Sequence, residues 1–98
     1  MVELLFAEQP AALLDELVED PTRVIFLGRL NTALDALESN PGSGFARRRR
    51  YSNIGCWALV FLDDDDDEWL IMWDYGENGD DEDGDAPYVV VRAIVRSP

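Results

Sequence analysis

The hydrophobic pattern predicts an α+β domain, with two N-terminal helices packed on one face of a small antiparallel sheet in the order β-α-α-β-β-β-β. Three observations carry this. Apolar residues recur at helical spacing as far as Leu37, the period becomes extended after Gly42-Ser43-Gly44, and acidic stretches separate the apolar runs that follow. At 98 residues the chain builds one domain around a single small core, and 47% hydrophobic with 10% aromatic residues suffices for it.

Val2, Leu4 and Phe6 alternate and predict an opening strand. Pro10 suits the first turn of a helix carrying Leu13, Leu14, Leu17 and Val18. Asp20-Pro21 then supplies an N-cap and a first helical residue for a second helix. Leu27, Leu30, Leu34 and Leu37 form the apolar stripe of that helix, which Ser39-Asn40-Pro41-Gly42 ends. Residues 46–52 predict a strand, Asn53-Ile54-Gly55 a turn, and Cys56 to Leu62 a strand apolar on both faces and central in its sheet. Asp63 to Asp67 connects it to a strand over Glu68 to Trp73, and Tyr88 to Arg96 is the closing strand. Period two places Val89, Val91, Ala93 and Val95 of that strand on the core face, and Tyr88, Val90, Arg92, Ile94 and Arg96 on the open one.

The formal net charge of −13 is local. Thirteen of the 21 acidic residues lie between Asp63 and Asp85, and the remaining eight balance eight arginines. Segments 63–68 and 74–87 read as solvated acidic loops. Histidine and lysine are absent, which excludes Ser-His-Asp and Cys-His relays, His-ligated zinc, Schiff-base chemistry and a P-loop. Proton transfer falls to Asp, Glu, Tyr or Cys56, and anion binding to arginine. Cys56, beside Trp57 in an apolar run, reads as a core thiol with no internal disulfide partner. Asp81-Glu82-Asp83-Gly84 holds the middle of a calcium-loop pattern, but Gly79 stands at its first ligand position and Val90 where its closing glutamate belongs. No metal site and no cofactor are expected. The N-terminus lacks a basic leader region, and the longest uncharged apolar run, Ile54 to Leu62, is about half of a membrane span, so a cytoplasmic protein with no membrane segment is expected.

Arg47, Arg48, Arg49 and Arg50 form the one basic block. In a strand, alternation puts Arg47 and Arg49 with Tyr51 on one face, and Arg48 and Arg50 on the other. The block either binds phosphate or pairs with this chain's own acids. Trp69, Ile71, Trp73 and Tyr75 share a strand face, which reads as core or, if open, as a homodimer contact through Trp69 and Trp73. The acidic residues 63–85 offer a further surface, able to imitate nucleic-acid phosphates and hold a basic partner as an inhibitor or immunity-like protein does.

The helix ending Ala33-Leu34-Asp35-Ala36-Leu37-Glu38-Ser39-Asn40-Pro41, then Phe45-Ala46-Arg47-Arg48-Arg49-Arg50, Cys56-Trp57-Ala58-Leu59-Val60-Phe61 and the closing strand, resembles the RelE/ParE superfamily of bacterial toxins. The likeness covers residues 22–62 in detail and the rest in outline. It implies a helical hairpin on a small antiparallel sheet, and a toxin neutralised by an antitoxin-like protein partner. The toxin would be either a ribosome-associated endoribonuclease or a gyrase inhibitor. The resemblance nominates Arg47, Arg48, Arg49, Arg50 and Arg92 for RNA or partner binding, and Tyr51, Tyr88 and Arg96 for catalysis. The chain also departs from the family: its "W-R-I-R-V" strand is here Trp57-Ala58-Leu59-Val60-Phe61, and Glu68 to Trp73 lacks an arginine. The acidic balance opposes docking on ribosomal RNA. The expectation is a toxin-like protein binding the translation or replication machinery, with the endoribonuclease activity of the family either retained or lost.

Overall fold

The computed structural model describes residues 2–76 and 88–97. Its elements are β1 (Glu3–Phe6), α1 (Glu8–Glu19), a 3-10 turn (Pro21–Arg23), α2 (Val24–Ser39), β2 (Arg49–Tyr51), β3 (Cys56–Leu62), β4 (Glu68–Asp74) and β5 (Tyr88–Arg96). The order is the predicted α+β order. The strands form one five-stranded sheet, β1-β5-β4-β3-β2. Every neighbouring pair is antiparallel except β1 with β5, which is parallel, so the sheet is mixed. Parity explains it. Two helices between β1 and β2 make β2 run against β1, and three further reversals bring β5 back to the direction of β1.

Local chemistry sets the helix boundaries. The Asp20 carboxylate accepts from the Thr22 backbone N–H at 3.0 Å and its hydroxyl at 2.6 Å, and Pro21 opens the turn leading into α2. On α2 the residues Phe26, Leu30, Ala33, Leu34 and Leu37 are buried. They meet Leu17 of α1 and, from the sheet, Leu59, Phe61, Ile71, Trp73, Val89, Val91 and Ile94. The row Trp69, Ile71, Trp73 and Tyr75 therefore lies beneath the helices. Trp73 is fully buried, and Trp69 meets Phe26 edge-on at 4.8 Å. This row is core, which corrects its reading as a homodimer contact.

Strand β5 departs from simple alternation. Met72 pairs with Ala93 but Trp73 pairs with Val91, so Arg92 is the extra residue of a bulge. Beyond it the faces invert: Ile94 is 1% exposed and Val95 36% exposed, the reverse of the period-two expectation. Gln9 of α1 holds the shifted segment. Its side-chain amide donates to the Ile94 carbonyl at 2.9 Å, and its Oε1 accepts from the Ile94 N–H at 2.8 Å. Strand β1 ends its pairing at Phe6 opposite Val91, and the Gln9 amide extends that ladder past the strand's end.

Strand β2 is shorter than predicted, because local bonds hold the preceding residues in turns. Asn40 Oδ1 accepts from the Gly42 N–H, the Ser43 hydroxyl accepts from the Ala46 N–H, and the Ser43 carbonyl accepts from the Arg47 N–H. Replacing Gln9 with alanine leaves two backbone groups of Ile94 without partners, and is expected to destabilise the fold by about 1 kcal/mol. Chemical denaturation measures the loss, and hydrogen exchange at the Ile94 amide should accelerate before that at Val91.

Candidate functional site

The chain between α2 and β2 delivers Arg47 to an aromatic cluster. Trp73 donates its indole N–H to the Ala46 carbonyl at 2.7 Å, fixing the residue before Arg47. Arg47 Nε donates to the Pro41 carbonyl at 3.1 Å, and its Nη2 donates to the Tyr75 hydroxyl. Its guanidinium lies 4.7 Å from the Trp57 ring centre and 5.6 Å from that of Tyr75. Arg50, opposite Trp57 in the β2–β3 register, brings a second guanidinium to 4.1 Å from the same indole. Trp57 stacks on Trp73 at 5.3 Å, and Tyr75 stands edge-on to both. Two guanidiniums on one indole combine positive charge, planar hydrogen-bond donors and a stacking surface. Arg48, next to them, is exposed.

Alternation predicted Arg47 beside Arg49 and Tyr51, but regular strand begins only at Arg49. Arg47, still in the turn, joins Arg50 instead. Arg49 and Tyr51 sit on the opposite face. Their mutual hydrogen bond, reinforced by the Arg49–Glu68 ion pair, raises the Arg49 guanidinium further above its usual pKa.

Across that face, Arg92 grips Asp74 with two bonds, Nε to Oδ2 at 2.8 Å and Nη2 to Oδ1 at 3.1 Å. The Gly76 N–H donates to Asp74 Oδ1, and the Cys56 thiol lies 3.4 Å from Oδ2. Burial works to raise the Asp74 carboxyl, but the Arg92 bonds, the Gly76 N–H and the Cys56 thiol outweigh it and hold the group below the usual carboxylate range. Burial, with the Asp74 contact, pushes the Cys56 thiol up, which makes it an unreactive core thiol. Tyr88 flanks Gly76, where a Cβ would lie 3.0 Å from Val90 Cγ2 and 3.2 Å from Tyr88 Cε2 and the backbone has a φ of +59°, so a side chain there is strained.

The three catalytic candidates are not brought together. Tyr51 on β2 and Tyr88 on β5 are separated by β4 and β3, a spacing of about 14 Å. Arg96 lies at the other end of β5 from Tyr88, about 26 Å along the strand, where it pairs with Asp67.

Sequence reasoning missed the order inside the first acidic run. Asp63 is 7% exposed. Its Oδ1 accepts from the N–H groups of Asp65 and Asp67 at 2.8 and 2.9 Å, and its Oδ2 accepts from the Trp69 indole at 2.8 Å. Burial works to raise Asp63, but the Trp69 and backbone donors, with the charge of Arg96, hold it low. Asp66 takes the left-handed φ of +63° that completes the turn. The connection is therefore a built hairpin rather than a merely solvated loop. The carboxylates of Asp63, Asp65 and Asp67 approach within 4.8 Å of one another, with Asp63 already bonded to N–H groups and Asp67 to Arg96. The available signal was an Asp opening a turn with a Trp six residues on, masked by five identical residues in a row. Of the second acidic segment only Asp74, Tyr75 and Gly76 are described, and residues 77–87, with the calcium-like Asp81 to Gly84, lie outside the described residues.

No helix among the described residues is long and apolar enough to cross a membrane. No protein-family model matches the sequence, and comparison with curated proteins and with solved structures finds no match. The likeness to the RelE/ParE superfamily thus rests on the sequence features named above.

The lowered pKa values of Asp74 and Asp63 fix the sign of the acid response. Their contribution to stability is complete above the unfolded carboxylate range, and is lost as pH falls below about 4 through the folded values. Thermal unfolding between pH 6 and 3 should show a falling midpoint, and Asp74→Asn should flatten part of that fall. An identical acid limb in the variant would contradict the assignment.

Proposed function

We propose that this chain is a toxin-like protein, resembling the RelE/ParE toxins, that binds the translation or replication machinery through its arginine–aromatic cluster and is neutralised by a protein partner in the cytoplasm. The observation that carries this reading is the convergence of Arg47 and Arg50 on Trp57. Guanidiniums take phosphates by charge and donor geometry, and the adjoining rings offer stacking to a base or an aromatic side chain. The acidic hairpin at 63–67 stands at the opposite end of β3, about 20 Å from Trp57. That distance is about twice the screening length at physiological salt, so the hairpin opposes binding at the cluster only weakly. The separation of Tyr51, Tyr88 and Arg96 supports action by binding, with catalysis degenerate.

One observation favours a second reading, an acidic inhibitor or nucleic-acid mimic acting through residues 63–85. Asp64, Asp65 and Asp66 are exposed on a hairpin that Asp63 pre-organises. Such a surface suits a cationic protein partner.

Induced expression in bacteria separates the two. The parent chain and an Arg29→Ala control should arrest growth, and Arg47→Ala/Arg50→Ala should abolish the arrest while remaining soluble and folded. Tyr51→Phe and Tyr88→Phe should keep it. Arrest that persists in the double arginine variant, or soluble parent protein without arrest, overturns the proposal.

A further inference from the structure

We infer that the chain forms a two-fold dimer in which the outer edge of β3 pairs with the same edge of a second copy. Strand β3 is hydrogen-bonded to β4 from Trp57 to Leu62, but β2 covers only Cys56, Trp57 and Ala58 on its other side. Among the described residues, no strand pairs with the outer side of Leu59 to Leu62. Their backbone groups on that side form an open template for another strand.

Beside this edge runs a groove of about 640 Å³ between α2 and β3, lined by Ile25, Gly28, Phe45, Val60 and Leu62 among others. Ile25, Phe45 and Leu62 are exposed large hydrophobics gathered at this one place. Gly28 sits within α2, where a Cβ would meet nothing within 4 Å. Glycine weakens a helix interior. Among the described residues nothing closes on it, which leaves room for another chain to approach the helix closely.

Charge along the edge identifies a second copy as the occupant. The exposed acids Asp64 and Asp65 follow one end of β3, and the exposed Arg48 directly precedes β2, which pairs with the other end. A two-fold axis normal to the sheet at Phe61 pairs Phe61 with its own copy and Val60 with Leu62 in antiparallel fashion, so that paired side chains share a face. It also carries the acidic end of each copy to the arginine end of its partner. The open run is thus self-complementary in length, apolarity and charge, as an isologous interface requires. It is distinct from the Trp69 and Trp73 row, which the helices bury.

Sedimentation equilibrium of the full chain tests this. The parent should sediment at twice the chain mass at micromolar concentration. Leu62→Lys and Gly28→Gln should each weaken the dimer at least tenfold without lowering the melting temperature of the monomer, and Leu5→Lys, on the opposite edge strand, should leave it intact. Arg48→Asp and Asp64→Arg should each weaken association, and the double variant should restore it, an outcome that a merely structural effect does not give. A parent that is monomeric throughout, including one that instead takes an extended strand of a different protein on this edge, overturns the inference. So does a dimer indifferent to Leu62→Lys and to the charge reversals.

Discussion

The buried indole of Trp73 is the constraint on which both halves of the molecule depend. Its ring is closed in by Trp57 and Tyr75 within the core under the helices. Its N–H holds the carbonyl of Ala46, a residue that is itself fully buried. A buried carbonyl deprived of its donor is expensive, so this bond ties the turns after α2 to the centre of the sheet. Arg47 is the next residue. The cluster on Trp57 therefore inherits its position from the core rather than from the mobility of a surface arginine.

A second theme is the division of the arginines. Arg49 pairs with Glu68, Arg92 with Asp74 and Arg96 with Asp67. Arg47 and Arg50 both lie over the Trp57 indole. Ion pairs this exposed stabilise little individually. Their effect is chiefly one of placement: Arg96 steadies the acidic hairpin, and Arg92 occupies the bulge and holds the end of β4. Among the described residues, the exposed Asp64, Asp65 and Asp66 follow one end of β3, and Arg47, Arg48 and Arg50 gather at the other.

Much of this was legible in the sequence, and the failures have common causes. The α2 stripe, the Asp20-Pro21 start and the order of strands followed from periodicity and cap chemistry, because local interactions decide them. The inverted faces of Ile94 and Val95 were not legible, since the bulge at Arg92 arises from pairing with β4. Direction in the sheet likewise depends on the number of reversals between β1 and β5. The arginine block was visible as a basic patch, but its partner Trp57 was not, because the contact needs the register of β2 on β3 and the turn that holds Arg47 out of the strand. Asp63 was hidden for the opposite reason: five equivalent aspartates gave no sign which one would accept the Trp69 indole N–H.

The most direct test of the cluster as a binding surface is a titration of the chain with single-stranded RNA at several salt concentrations, followed by tryptophan fluorescence. Binding at Arg47 and Arg50 should quench Trp57. Arg47→Ala/Arg50→Ala should weaken binding and make the dependence of log K on log salt shallower by about 1.4, as expected for two lost phosphate contacts on a single strand. Equal affinity and equal salt dependence in parent and variant, or no quenching in the parent, would contradict the assignment of this cluster as the functional surface.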